Sequence, residues 1–312
     1  MNALNELDTM AHEIVHQHGL LALQADALER LPIYLAALPT AIAGPIPQAV
    51  YAACRALDFI DADAQCVARA WQRQSERTGR FDTSAWPTEP QDFGLRAIVD
   101  QDSFAPCPRQ LGLYAVLPDA AWVGRMARAG VPTVQLRFKS DDPAAIRREV
   151  HAAVQAVQGT GALLFINDHW QAAIEAGAYG VHLGQEDLEG LGGADLNAIR
   201  AAGLRLGLSS HGYAEMLRAE ALKPSYIAMG AVYATTLKRM ATPPQGLARL
   251  RMYAALLRDI PTVAIGGIGA AQLPEVLACG VGSVAVVRAL VAVDQPEAQA
   301  AALQEVVKPF FP

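Results

Sequence analysis

Residues 162–184 read ALLFINDHWQAAIEAGAYGVHLG. An apolar run, ALLFIN (162–167), opens the stretch. HWQAAIEAG (169–177) follows with helical character, and a second apolar run, YGVHLG (179–184), closes it. Neither run alternates polar with apolar residues, which is the pattern of strands buried on both faces. The stretch is one β–α–β unit. The same alternation extends in both directions, through GLYAVL (112–117), VPTVQLRF (131–138), LRLGLS (204–209), SYIAMG (225–230), PTVAIGG (261–267) and SVAVV (283–287). Helix-like segments such as AAIRREVHAAVQAV (144–157) and AAQLPEVLACG (270–280) lie between them. Eight such units in about 200 residues predict a (β/α)8 TIM barrel at the short end of its usual size. The competing fold is an open doubly wound sheet. No G-x-G-x-x-G opens a helix after the first strand, which counts against it.

Upstream the pattern differs. Residues 2–18 and 20–38 mix polar and apolar residues with helical periodicity, and a break follows at LPTAIAGPIP (38–47). QAVYAACRALDF (48–59) and DADAQCVARAWQRQ (61–74) predict two more helices. Residues 75–94 are rich in turn formers and show no period, and DQDSFAPCPRQ (100–110) reads as a linker. The expected organisation is a small, mainly helical domain over 1–105 and a barrel over 110–312.

The chain has 312 residues, 52% of them hydrophobic, enough for two cored domains. Its net charge of −6 and the lack of a basic block argue against nucleic-acid binding. The four cysteines, Cys54, Cys66, Cys107 and Cys279, show no C-x-x-C spacing, so neither a zinc site nor a disulfide framework is indicated. Reduced thiols, the lack of a signal-peptide pattern and the lack of a spanning apolar run predict a cytoplasmic protein with no membrane partner. A homo-oligomer is compatible with this sequence, which does not specify one.

A barrel of this kind works at the carboxyl ends of its strands. After the second strand comes QLRFK (135–139). Strand alternation puts Gln135, Arg137 and Lys139 on one face and Val134, Leu136 and Phe138 on the other. Two cations in a barrel mouth call for an anion; the plainer alternative is a strand end fraying into water. Asn167 and Asp168 follow the third strand, where a helix N-cap is the ordinary role. Asp187 follows the fourth, where an ordinary turn is the alternative. Two acids on adjacent strands also face a common space, and Mg2+ is typically held by one or two carboxylates plus substrate phosphates. Ser209 and His211 follow the fifth strand, His211 more as a helix-start residue than as a base. The loop after the sixth, AVYATTLKRMATPPQGL (231–247), is long and offers Thr235, Thr236 and Lys238 as phosphate donors. AIGGIG (264–269) and Val287–Arg288 follow the last two strands, the usual phosphate site of such barrels. One mouth therefore offers two anion sites. A metal-assisted pole comprises Arg137, Lys139, Asp168, Asp187 and Lys238; a backbone pole comprises Gly267 and Val287.

In order and spacing, QLRFK, FINDHW, GVHLGQEDL, GLSSH, TTLKRM, PPQGL, VAIGGIG and VAVVRAL resemble the thiamine phosphate synthase family across roughly residues 112–305. That family is a (β/α)8 barrel that joins hydroxymethylpyrimidine diphosphate to a thiazole phosphate and releases pyrophosphate. The resemblance implies that Gln135, Leu136, Arg137, Phe138, Lys139 and Asn167 bind the pyrimidine diphosphate. Asp168 and Asp187 would hold Mg2+. Ser209 would contact the pyrimidine, and Lys238 its diphosphate. Thr235, Thr236, Leu237, Gly267, Val287 and Arg288 would hold the thiazole phosphate. Arg137, Lys139, Ser209 and Lys238 are the residues implied to act in catalysis. Two positions depart from the family pattern. Ala234-Thr235-Thr236-Leu237-Lys238 stands where P-T-x-T-K is usual, and Arg288 stands where the family has Ser. A related barrel thiazole tautomerase and a non-catalytic precursor-binding protein are the alternatives; the tautomerase needs no pyrophosphate-binding metal site. Residues 42–71 and 85–93 faintly resemble the C-terminal part of hydroxymethylpyrimidine phosphate kinase. That enzyme's Gly-Thr-Gly-Cys turn would fall on Ile42-Ala43-Gly44-Pro45, which lacks its polar groups. An accessory domain without kinase activity is expected.

Overall fold

In the computed structural model the eight apolar runs form eight strands. They are β1 (Gly112–Leu117), β2 (Thr133–Leu136), β3 (Leu163–Asn167), β4 (Gly180–Leu183), β5 (Arg205–Ser210), β6 (Tyr226–Met229), β7 (Thr262–Ala264) and β8 (Ser283–Val286). They pair in parallel, in sequence order, and β8 returns to β1 to close the barrel. Closure decides against the open sheet. The structure describes residues 3–24, 27–30, 42–95, 102–235 and 242–310.

Among the described residues three α-helices precede the strands: α1 (Ala3–His18), α2 (Pro45–Ala56) and α3 (Asp61–Thr78). Among the described residues ten more follow β1. They are α4 (Ala120–Arg128), α5 (Pro143–Ala156), α6 (Trp170–Ala176), α7 (Gln185–Glu189), α8 (Gly193–Ala201), α9 (Tyr213–Ala221), α10 (Gly246–Leu256), α11 (Leu273–Leu277), α12 (Arg288–Val291) and α13 (Pro296–Val307). Local chemistry starts several of them. The Asp119 carboxylate accepts the Trp122 amide at 2.8 Å and caps α4. Asp142 accepts the Ala144 amide at 2.9 Å, and Pro143 opens α5 with a ring already set for the first turn. Among the described residues no helix is long and apolar enough to cross a membrane.

The chain divides into two compact units, Met1–Ala97 with Gly212–Arg218, and Ile98–His211 with Ala219–Pro312. In the second, Tyr114, Val116, Phe165, Tyr226, Ala228, Val263 and Ala285 form a buried cluster. The Phe165 ring meets the Tyr226 ring edge-on at 5.2 Å and 87°. Gly180 makes this possible, because a Cβ there would come within 2.7 Å of Phe165 and of the Arg205 carbonyl. Burying an aromatic ring of this size contributes about 1.5–3 kcal/mol.

In the first unit α1, α2 and α3 pack around His18, Phe59, Trp71 and Trp86, with Trp71 and Trp86 edge-on at 5.4 Å. Arg77 grips the buried Asp92 carboxylate through two bonds of 2.9 and 2.7 Å. The helix expected over 20–38 does not form where the structure describes it. Short 3-10 turns stand at Gly19–Leu21 and Ala27–Arg30 instead. The reason is a partner distant in sequence: the Asp58 carboxylate takes the Leu23 and Gln24 amides at 2.8 and 3.1 Å, so they do not bond back along a helix. Residues 25–26 and 31–38 of that expected helix lie outside the described residues.

Candidate active site

The carboxyl ends of β2, β3, β4 and β5 are neighbours, because these strands pair in series. Asp168 follows β3 in the left-handed backbone region, at φ 64°, which Asp tolerates better than most residues. Two bonds hold it there: its amide donates to the His182 carbonyl at 3.0 Å, and the Trp170 amide donates to its carbonyl at 2.9 Å. Helix α6 begins after His169 with no side-chain cap, so neither Asn167 nor Asp168 is the cap that the sequence allowed. Asp168 instead turns toward Asp187. Partial removal from water pushes the Asp168 carboxyl up to about 6; the Asp187 charge and a hydrogen bond between the two carboxyls add to this. His169 and Arg137 pull the other way. Asp187 also serves its own helix, accepting the Gly184 amide at 2.8 Å at the start of α7. The turn and the acid pair are therefore both present.

This pair fits a divalent cation. Two acids held together across the mouth repel each other until a cation or a proton sits between them. Two carboxylates are also the number Mg2+ commonly takes from a protein, its other oxygens coming from water and phosphate. Among the described residues no larger metal-binding group of His, Cys, Asp and Glu occurs.

Strand β2 ends at Leu136, so alternation carries Gln135 inward but does not govern Lys139. Arg137 is half-buried, its amide donating to the Leu117 carbonyl at 2.8 Å. Leu136 is buried and Phe138 half-buried, with the Phe138 carbonyl bonded to the His169 ring at 3.0 Å. Lys139 is exposed, as is Arg288 at the start of α12. Asn167 ends β3 in register with His182.

Across the barrel interior runs a chain of polar groups. Gln135 Nε2 donates to the Tyr114 hydroxyl at 3.0 Å. Tyr114 and Tyr226 hydroxyls meet at 2.8 Å. Tyr226 meets His182 Nδ1 at 2.8 Å, and His182 Nε2 meets Ser209 Oγ at 2.8 Å. The Ser209 carbonyl is tied to α7 by the Gln185 side chain, whose Nε2 donates to it at 2.7 Å. Burial lowers the His182 pKa to about 4, and burial raises both tyrosines. Gln135 and Ser209 were legible at their strand ends. Tyr114, His182 and Tyr226 were not, because they lie inside runs read as apolar. A signal was present: each carries a hydrogen-bonding group in an otherwise aliphatic strand.

At the opposite side of the mouth, β7 and β8 pair, which makes the turns carrying Gly267 and Val287 neighbours. Gly267 has φ 67°, and a Cβ there would lie 2.6 Å from the Ala234 carbonyl and 2.7 Å from Tyr233. The backbone therefore approaches the Thr235 loop as only glycine allows. Thr235 is half-buried. Thr236, Leu237 and Lys238 lie outside the described residues.

Comparison with known proteins bears on this geometry. The family model described as thiamine monophosphate synthase matches residues 113–290, from β1 into α12. The thiamine-phosphate synthase of Neisseria gonorrhoeae is 54% identical over 202 residues, which are 65% of this chain and 97% of that protein. That of Yersinia pestis is 51% identical over 187 residues, 60% of this chain and 86% of the relative. Among solved structures, the thiamine phosphate pyrophosphorylase from Pyrococcus furiosus superposes with a TM-score of 0.57 at 27% identity. The match covers 65% of this chain and 99% of that one.

Proposed function

Because this chain belongs to the thiamine monophosphate synthase family, we propose that it condenses 4-amino-2-methyl-5-(diphosphooxymethyl)pyrimidine with a thiazole phosphate, giving thiamine phosphate and pyrophosphate. The observation that carries this reading is the Asp168–Asp187 pair beside Arg137, in the mouth that also presents Gln135 and Ser209. A tautomerase needs no pyrophosphate-binding metal site, so the pair beside Arg137 counts against that reading.

Asp168 and Asp187 would hold Mg2+, which when bound supplies positive charge to the departing diphosphate. Arg137 sets a permanent guanidinium beside the same oxygens, and Lys139 and Lys238 add ammonium groups to them. These charges act where negative charge develops, as the carbon–oxygen bond breaks and its electrons leave with pyrophosphate. The electron-rich aminopyrimidine bears the positive charge left on the methylene carbon. The thiazole nitrogen lone pair then forms the carbon–nitrogen bond. No protein nucleophile takes part. Gln135, Asn167 and Ser209 orient the pyrimidine, and Leu136 and Phe138 form part of its wall. Thr235, Thr236, Leu237, Gly267, Val287 and Arg288 hold the thiazole phosphate, so that nitrogen and carbon are kept in reach.

We read residues 110–312 as the synthase and 1–105 as a helical accessory domain without kinase activity. The turn at Ile42–Pro45 has only Gly44, at φ 97°, and Pro45 to offer as it enters α2. We place the activity in the cytoplasm, where four free thiols are stable.

The test is direct. Full-length protein is incubated with the pyrimidine diphosphate, the thiazole phosphate and Mg2+, and pyrophosphate and thiamine phosphate are measured. Equal amounts of both are expected, and none without Mg2+. Absence of product with either thiazole tautomer refutes the reading. ATP-dependent phosphorylation of hydroxymethylpyrimidine phosphate by the same protein refutes the accessory-domain assignment.

A further inference from the structure

The polar chain across the barrel has a direction. At the contact with Tyr114, Gln135 presents Nε2, which can only donate. The Tyr114 oxygen accepts that bond, and the Tyr114 proton needs an acceptor of its own in a buried site. The Tyr226 oxygen, at 2.8 Å, supplies it. The Tyr226 proton then points to His182 Nδ1, also at 2.8 Å. With Nδ1 accepting, a neutral His182 carries its proton on Nε2 and donates it to Ser209 Oγ at 2.8 Å. The opposite polarity would strand the Tyr114 proton against the Gln135 amide in a fully buried position.

The placement of Tyr226 is built rather than incidental. Its ring stacks on the His182 ring, with centroids 5.6 Å apart and planes 20° apart. It lies over Gly207 of β5, where a Cβ would collide with the Tyr226 ring and hydroxyl. Tyr226 itself is wholly buried, so its hydroxyl reaches a ligand only through His182 and Ser209.

We propose that Tyr226 is a positioning residue. Its hydroxyl fixes His182 as the neutral Nε2–H tautomer, so that Ser209 accepts from His182 and keeps its own proton for a hydrogen-bond acceptor on the substrate. A partner on one ring nitrogen decides what the other can do. The role of the Ser209 proton rests on the functional reading above; the tautomer does not.

The test uses full-length protein with 15N-labelled histidine rings, read by long-range proton–nitrogen correlation. His182→Gln identifies the signal among the seven histidines. The wild type is expected to show Nε2–H at residue 182 without any ligand. Tyr226→Phe is expected to lose that pattern, toward Nδ1–H or an average. Its kcat/KM for the pyrimidine diphosphate falls about tenfold, the worth of one hydrogen bond of this kind. KM for the thiazole phosphate stays unchanged. Tyr114→Phe removes the donor that sets the direction of the Tyr226 proton, so it too is expected to lose the Nε2–H pattern, and it serves if Tyr226→Phe does not fold. Nδ1–H in the wild type overturns the proposal, and so does a Tyr114→Phe protein whose tautomer is unchanged. So does a Tyr226→Phe protein in which either the tautomer or kcat/KM is unchanged. A wild type that makes no thiamine phosphate overturns the functional reading, while the spectrum still decides the tautomer.

Discussion

Gly207→Ala adds one methyl group inside the barrel, and its cost can be worked from the structure. The new Cβ would overlap Cε1, Cζ and the hydroxyl of Tyr226. That ring cannot simply retreat. Phe165 meets it edge-on at 5.2 Å, Tyr114 at 6.0 Å, and His182 is stacked on it at 5.6 Å. Overpacking of this kind costs about 1–3 kcal/mol. Tilting the ring also breaks its bonds to Tyr114 and His182, at about 0.5–1.5 kcal/mol each. Residue 207 is not in the left-handed region, so alanine recovers about 0.4–1 kcal/mol by restricting the unfolded chain. The net loss is about 2–5 kcal/mol, or roughly 5–20 °C in Tm for a domain of this size. Thermal unfolding followed by circular dichroism measures it. The control is Gly207→Ala made in a Tyr226→Leu background, where the ring is gone. There the added methyl should cost less than about 1 kcal/mol, because the two sites are coupled only through the ring. A Gly207→Ala protein that melts within about 1 °C of wild type, or an equal cost in both backgrounds, refutes the packing argument and weakens the built placement of Tyr226.

Asp168→Ala and Asp187→Ala should each lose at least about a hundredfold in pyrophosphate release with Mg2+ present, and wild-type rates in either refute the metal assignment. Asp187→Ala should in addition cost about 1 kcal/mol of stability by freeing the Gly184 amide, measured by urea unfolding. Asp119→Ala removes the cap of α4 and should lower barrel stability by about 1 kcal/mol with no change in activity; an unchanged urea midpoint contradicts this. Burial holds His18 below its ordinary 6.5, so the unfolded chain binds the proton more readily. Stability of the first unit should therefore fall as pH drops below about 6.5 and level off below the lowered folded value. Urea unfolding followed by Trp71 and Trp86 fluorescence at about pH 7.5 and about pH 5 reads this, and His18→Gln should reduce the difference. A first unit that gains stability in acid contradicts the sign.

The site was legible in part, and the division has a physical cause. Polar residues at strand ends stand out because a barrel of this kind works at the carboxyl ends of its strands, although a cap or a turn is the ordinary role of a single acid there. Asp168, Asp187, Arg137 and Gln135 were found that way, and the structure brings Asp168 to Asp187 and sets Arg137 within electrostatic reach of Asp168. Tyr114, His182 and Tyr226 were not found, because inside a strand an aromatic or imidazole ring serves packing as readily as chemistry. Only their meeting at 2.8 Å, from three different strands, distinguishes the two uses. The helix expected over 20–38 failed for a related reason. Its periodicity was local, while the Asp58 carboxylate that takes the Leu23 and Gln24 amides comes from more than thirty residues away.

The sequence by itself determined eight buried strands separated by helical segments, a parallel sheet covered on both faces, while its closure of β8 on β1 into a barrel rather than an open sheet is seen only in the tertiary structure. It also determined which strand ends carry charge. Tertiary structure alone decided which of those charges meet, that Asp168 turns to Asp187 instead of capping α6, and that a directed line of hydroxyl, imidazole and amide groups crosses the interior. The reason is that periodicity depends on neighbours in the chain. A hydrogen bond between residues 44 positions apart depends on register, on ring orientation and on a missing Cβ at Gly207.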